Sequence, residues 1–225
     1  MVMKILGIDE TGRGSILGPL VICGFLIEEE KIELLKKMGV KDSKLLSPKK
    51  RSFLYQKLKK IADDIEIIEL SAADIDQMRT ESNLNRIEIE HMQQIVNKLN
   101  PDKIFVDSVE ANTEKFCKKI LAGLDKPDKY GFGTTFICEN FADKKYPIVG
   151  AASIMAKVVR DTEIEKLHEK HGFFGSGYTS DSRTIEFIKN WLEEKGSLPS
   201  FARSSWVTAK ILKSSHDQKK LGDYM

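Results

Sequence analysis

MKILGIDETGRGSILGPLVICGFLI, residues 3–27, consists of two apolar runs joined by a loop of small residues. MKILGID (3–9) and LVICGFLI (20–27) are too short for typical helices and rich in Ile, Val and Leu, so each reads as a buried strand. Gly12, Gly14 and Gly18 punctuate the loop between them. A dinucleotide fingerprint would need its glycines to open a helix, whereas Pro19 leads here into a second strand. A phosphate-binding P-loop is excluded as well, because no G-K-[ST] follows. What the glycines permit is close approach of bare backbone to a ligand, with Arg13 at hand for a phosphate. The first strand ends on two acids, Asp9 and Glu10.

Three more strands follow: IEIIEL (65–70), KIFVD (103–107) and TTFICE (134–139). Between and after them lie amphipathic segments. SPKKRSFLYQKLKKIADD has Ser47 as N-cap and Pro48 at the first helical position. VGAASIMAKVVRDTEIEKLHEKHG (149–172) reads as a long helix whose first turns, Gly150, Ala151, Ala152 and Ser153, are small enough to lie close on a sheet. The order β-β-α-α-β-α-α-β-α-β, then helices, predicts an α/β protein. Its mixed five-stranded sheet is flanked by helices on both faces, with the main domain at 1–183 and a helical C-terminal extension with a flexible tail at 184–225.

KIFVD, like the first strand, ends in an acid, Asp107. Functional side chains in open α/β sheets gather beyond the carboxyl ends of strands, so parallel neighbours would bring these carboxylates together. Two carboxylates about 4 Å apart repel by roughly 4 kcal/mol at an effective dielectric of 20, unless a proton or a cation intervenes. An all-oxygen cluster suits Mg²⁺ or Mn²⁺ rather than zinc. The plainer reading, acids that merely end strands in turns, stays open on spacing alone.

At 225 residues, 41% hydrophobic and 31% charged, the chain can bury roughly 70% of its unfolded surface without staples. No apolar run approaches a membrane span of ~20 residues. The N-terminus meets its acidic pair too early for a secretory signal, so a cytoplasmic protein is expected. Cys23, Cys117 and Cys138 are odd in number and lack C-x-x-C spacing, which predicts free, mostly buried thiols. His91, His168, His171 and His216 show no zinc-ligand spacing. The net charge of +2 conceals blocks: 41–60 carries eight Lys or Arg against one Asp, and 61–90 nine acids against two Arg. Residues 201–220 carry five Lys or Arg against Asp217. Such blocks suit a polyanion, though a Lys-rich solvated helix face reads the same way.

GIDETGRGSILGPLV, KDSKLLS, FVDSVEANTEKF, ADKKYPIVGAASIMAKVVRD and GSGYTSDSRT follow one another as in the type 2 ribonucleases H. The chain resembles this ribonuclease HII family, its archaeal members above all, from residue 5 to about residue 206. The resemblance implies an RNase H-like fold and endonucleolytic cleavage of RNA in RNA·DNA hybrids. It also implies cutting 5′ of single ribonucleotides embedded in duplex DNA, a step of ribonucleotide excision repair, leaving 3′-OH and 5′-phosphate ends. Asp9, Glu10, Asp107 and Asp143 match the four carboxylates that hold two divalent ions, Mg²⁺ or Mn²⁺. Spacing alone left Glu139 level with Asp143. Gly12, Arg13 and Gly14 match the element that senses the ribose 2′-hydroxyl, and Tyr178 the tyrosine that packs on the following deoxyribose. Lys44 and Arg160 match residues that hold backbone phosphates. Thr11, Ser15, Thr179 and Ser182 depart from the family's usual Ala and prolines.

Two divalent ions about 3.5–4 Å apart suit phosphodiester hydrolysis without a protein nucleophile, and detecting RNA means detecting the 2′-OH. Because successive strand residues face opposite ways, Asp9 and Glu10 can share one site only if the strand ends there or Glu10 ligates through its carbonyl. Gln218, Leu221 and Tyr224, with Met225 where a second aromatic is usual, have the spacing of the peptide that repair enzymes dock into a sliding clamp; a polar terminus is the plainer reading. The chain is expected to be a monomer. Another nuclease of the same superfold, or a silent hybrid-binding module, are the alternatives.

Overall fold

The computed structural model describes residues 2–40 and 46–222, with side chains as far as Gln218. Lys44, Tyr224, Met225 and the side chain of Leu221 therefore lie outside the described residues. The strands are β1 (Lys4–Thr11), β2 (Leu20–Glu28), β3 (Asp64–Leu70), β4 (Lys103–Asp107) and β5 (Phe136–Glu139), in the sheet order β3-β2-β1-β4-β5. β1 lies antiparallel to β2, Ile8 opposite Gly24, and parallel to β4, Ile8 beside Val106. β5 continues the parallel side, Glu139 beside Asp107. This is the mixed five-stranded sheet expected from the sequence.

The helices are α1 (Ile32–Met38), α2 (Pro48–Ile61), α3 (Ala72–Met78), α4 (Leu84–Leu99), α5 (Thr113–Leu121), α6 (Ala142–Lys145), α7 (Pro147–His171), α8 (Ser182–Lys195) and α9 (Val207–Gly222). Ser47 caps α2 by accepting from the Lys50 N–H, with Pro48 in the first turn as its sequence predicts. α6 is a single turn, too short to leave a periodicity, and no sequence pattern had marked it. No helix among the described residues is long and apolar enough to cross a membrane.

Small residues set the spacing of the layers. A Cβ on Gly7 of β1 would sit 2.3 Å from the Ile148 carbonyl oxygen of α7, and one on Gly150 of α7 would sit 2.1 Å from that of Val40. Ala151, Ala152 and Ala156 are fully buried in the same core with Val21, Cys23 and Phe25 of β2. On the other sheet face, a Cβ on Gly24 would strike Ile95 of α4 at 2.3 Å. The three cysteines are free and buried, as expected.

The chain divides into two compact units. One holds the chain up to Thr11, Val21–Ile68 and Leu84–Val159; the other holds Gly12–Leu20, Glu69–Asn83 and everything from Arg160 onward. This is not the 183/184 division expected from the sequence. The reason lies in the second unit's core, where Ile16 and Leu17 of the glycine loop and Ile164 of α7 pack with Ile188, Leu192, Phe201 and Ala209.

Candidate active site

In the first unit, β1 and β4 end side by side on acids. One rung beyond Ile8 and Val106, Asp9 and Asp107 leave neighbouring strands about 4.8 Å apart. Asp9 is 4% exposed. It accepts a hydrogen bond from the Glu10 N–H at 2.9 Å and is hydrogen-bonded by Ser153 of α7. Burial, and then the charge of Asp107, push its carboxyl up to about 8 against the pull of Ser153, with Asp143 adding to the rise. Asp107 in turn accepts from the Ala142 N–H at 2.8 Å. That bond pins the first residue of α6, whose second is Asp143. Asp143 is 2% exposed, and its Oδ1 is buried with no hydrogen-bond partner.

Glu139 and Asp143, level on spacing alone, differ in their partners. Glu139 accepts from the Tyr146 hydroxyl at 2.6 Å and from the Lys145 ammonium. These bonds, Lys145 first, hold its carboxyl below the usual range. Asp143 keeps an unsatisfied oxygen, and its charge adds to the rise at Asp9. Glu10 gives a correction of detail. β1 does not end at the acids but stays paired with β2 through Thr11, so alternation sets the Glu10 side chain on the face away from Asp9. Pairing toward β4 stops at Ile8, leaving the Glu10 carbonyl, or a side chain reaching past the end of β4, to approach the other acids.

Among the described residues no group of three or more such side chains is gathered closely enough to hold a metal ion as it stands. The donor set still fits a hard divalent cation: carboxylate oxygens only, Asp9 and Asp143 nearly fully buried, and the Asp143 Oδ1 without a hydrogen-bond partner.

The glycine loop belongs to the second unit. Gly12 has φ +85°, and a Cβ there would sit 2.6 Å from the Arg160 Nε; one on Gly14 would meet nothing within 4 Å. Bare backbone is therefore presented at Gly14, while Gly12 is packed against its neighbours. The loop is held by backbone bonds from the Ile16 and Leu17 N–H groups to the Gly177 carbonyl, at 2.8 and 3.0 Å. Ser15, where the family usually has proline, is fully buried. Its hydroxyl proton is shared between the Leu17 and Gly177 carbonyls, and its oxygen accepts from Arg160 Nη2 at 2.9 Å. Hydrogen bonds thus supply stiffness that a ring would have given.

Arg160 is 5% exposed, and its guanidinium also bonds the Ser176 carbonyl and lies 4.7 Å over the half-buried Tyr178 ring. It braces the loop from within rather than projecting as a solvent-facing cation. Tyr178 itself bridges to Ser15. Arg203 was not foreseen from the sequence. It is fully buried, donating to the Gly18 carbonyl and, at 3.0 Å, to the Arg13 carbonyl, and it lies over Trp206. The only hint was an arginine set between Phe201 and Trp206.

The sequence profile of ribonuclease HII matches residues 6–209. The chain belongs to the ribonuclease HII family. The ribonuclease HII of Thermococcus sibiricus is 44% identical over 220 residues, 97% of this chain and 95% of that one. The ribonuclease H2 of Pyrococcus horikoshii superposes with a TM-score of 0.87 at 41% identity, covering 96% of this chain and 100% of that one. An Archaeoglobus fulgidus ribonuclease HII, solved in complex with PCNA, gives 0.81 at 38% identity over 91% and 95% of the two chains. As a member of this family the protein is a ribonuclease H, a hydrolase acting as an endoribonuclease on RNA–DNA hybrids.

Proposed function

We propose that the protein removes ribonucleotides from DNA, cutting 5′ of a single ribonucleotide embedded in a duplex as well as the RNA strand of long hybrids. In this reading Asp9, Glu10, Asp107 and Asp143 hold two divalent ions, Mg²⁺ or Mn²⁺. When bound, these supply a water activated for attack on phosphorus and charge to stabilise the departing 3′ oxygen. The chain's own residues position them: Ser153 orients Asp9, and Asp107 fixes the turn that carries Asp143. The single observation that carries the assignment is the buried Asp143 oxygen without a partner, beside an Asp9 whose charge burial disfavours.

Gly12, Arg13 and Gly14 read the 2′-hydroxyl, with the open space at Gly14 admitting the ribose edge. Tyr178, backed by Arg160, packs on the next sugar and reports whether it is deoxyribose. Lys44 supports a neighbouring phosphate. The C-terminal Gln218, Leu221 and Tyr224 dock a sliding clamp, a reading favoured by the clamp complex of the Archaeoglobus relative. The protein acts as a monomer in the cytoplasm.

The test is a DNA duplex bearing one ribonucleotide, incubated with Mg²⁺, Mn²⁺ or EDTA. A single cut 5′ of the ribonucleotide, absent in EDTA, is expected. Cleavage of long hybrids but not of this duplex would restrict the enzyme to hybrids. Cleavage undiminished in EDTA would overturn the metal reading.

A further inference from the structure

Phe141 is the residue that the fold itself does not explain. Its backbone has φ +60°, one of two non-glycine positive values among the described residues, and for a bulky side chain this is an outlier. Glycine would take the same conformation without strain. Packing does not account for the ring either, since Phe141 is 63% exposed.

Both neighbours are pinned. With its amide nitrogen turned toward them, Asn140 donates to the Ser108 and Glu110 carbonyls at 3.1 and 3.2 Å. On the other side, the Ala142 N–H is held by Asp107. The Phe141 carbonyl accepts from the Lys144 N–H, closing the first turn of α6. Held by these bonds before and after it, Phe141 sits in the left-handed conformation with its ring largely exposed. That ring stands between Asn140 and the turn carrying Asp143, one residue from the amide that Asp107 grips. Lys144 Nζ lies 5.5 Å from its centroid. Phe53, Phe132 and Phe173 are exposed too, but none has a strained backbone or lies beside the carboxylates in the chain.

We infer that Phe141 is a substrate-positioning surface on which a sugar of the strand being cut packs, next to the scissile phosphate, with Lys144 set toward the adjoining phosphate. A sugar is the fitting partner because the bases of a duplex are stacked and paired, whereas sugar C–H faces and phosphates line its outside. Most protein contacts to a duplex fall on those groups. The inference rests on the proposed action on nucleic acid duplexes and adds a contact to it.

The experiment compares wild type with Phe141→Ser, Phe141→Gly and Phe141→Trp. Binding to a hybrid duplex is measured by fluorescence anisotropy in EDTA, and steady-state cleavage in Mn²⁺. Loss of the ring should raise Kd and KM about tenfold, the weak end of aromatic stacking on nucleotides, with kcat within about twofold. Phe141→Trp should restore both. Phe141→Gly should melt no lower than wild type, which separates the ring's role from the fold's. Unchanged Kd and KM in both Phe141→Ser and Phe141→Gly would overturn the inference, as would a fall in kcat alone. If wild type binds but does not cleave, the proposed activity fails while the anisotropy comparison still decides the role of Phe141.

Discussion

Asp9 is where stability and chemistry oppose each other. In metal-free protein its folded-state pKa, about 8, stands above the unfolded aspartate value of roughly 3.9. The folded state therefore binds more protons between those values, and stability falls as pH rises through that window. Replacing Asp9 with Asn removes the titrating charge but keeps the shape. In a chelating buffer, Asp9→Asn should match wild type near pH 4 and melt above it at pH 8.5. Each 1 kcal/mol gained there is worth about 2–4 °C at this chain length. Cleavage should fall by at least about 100-fold at any pH. A variant that cuts at wild-type rates, or melts below wild type at pH 8.5, would contradict the assignment. Asp9 and Asp107 could be read from the sequence because each ends an apolar run. Asp143 could be read only through the family's ADKKYP motif, because the single turn that carries it has no periodicity and Glu139 stands at an equally good spacing. The folded chain adds a physical difference, the partners Lys145 and Tyr146 that occupy Glu139.

α2 shows how an element can carry charge against its own helical preference. Its first turn contains no acid but has Lys49 and Lys50, cations at the positive end of the helix dipole, where each costs about 0.3–1 kcal/mol. Lys57, Lys59 and Lys60 are exposed on the same helix, and Lys57 lies 4.4 Å over the exposed Phe53 ring. Arg51 is different. It is buried and donates to the Leu46 carbonyl at 2.6 Å, so among the described residues the block divides into one structural arginine and a set of outward lysines. The chain enters this region from Val40, against Gly150 of α7, and leaves at Asp63, whose N–H bonds Leu26 near the opposite end of the sheet. If the lysines meet flanking phosphates, Lys49→Gln with Lys50→Gln should flatten the salt dependence of duplex binding. The slope of log K against log[salt] should drop by up to about 0.9 for each phosphate lost. The melting temperature should hold or rise. An unchanged slope would make α2 a solvated face, as its composition alone equally allows. Charge blocks were plain in the sequence; which members point outward was not, because that depends on the burial of Leu54 and Leu58.

At the scale of the whole chain, the second unit is assembled from three separate stretches, and this bears on what can be removed. The Gly18 N–H donates to the Phe201 carbonyl, and the Arg203 N–H to that of Ile16, both at 2.9 Å. Asp76 accepts from the Ser204 and Ser205 N–H groups at 2.7 and 3.0 Å. Burial alone would raise its carboxyl, yet these bonds hold it below the usual range. Cutting at the boundary suggested by composition, to leave residues 1–183, strips these partners away and with them Ile188, Leu192, Phe201 and Ala209 from the core around Ile16 and Leu17. Residues 1–183 should thus show fast amide exchange at Ile16, Leu17 and Gly18. Cleavage should fall at least about 100-fold, since misplacing a reactive geometry by about 1 Å costs that much. Ending the chain at Asp217 instead removes the clamp-like peptide and none of these contacts. That form should cleave naked duplex as fast as the full chain while losing capture by an immobilised sliding clamp. Full activity in residues 1–183 would show that the glycine loop holds its shape without α8 and α9, and the division of the molecule would then return to the one its sequence suggested.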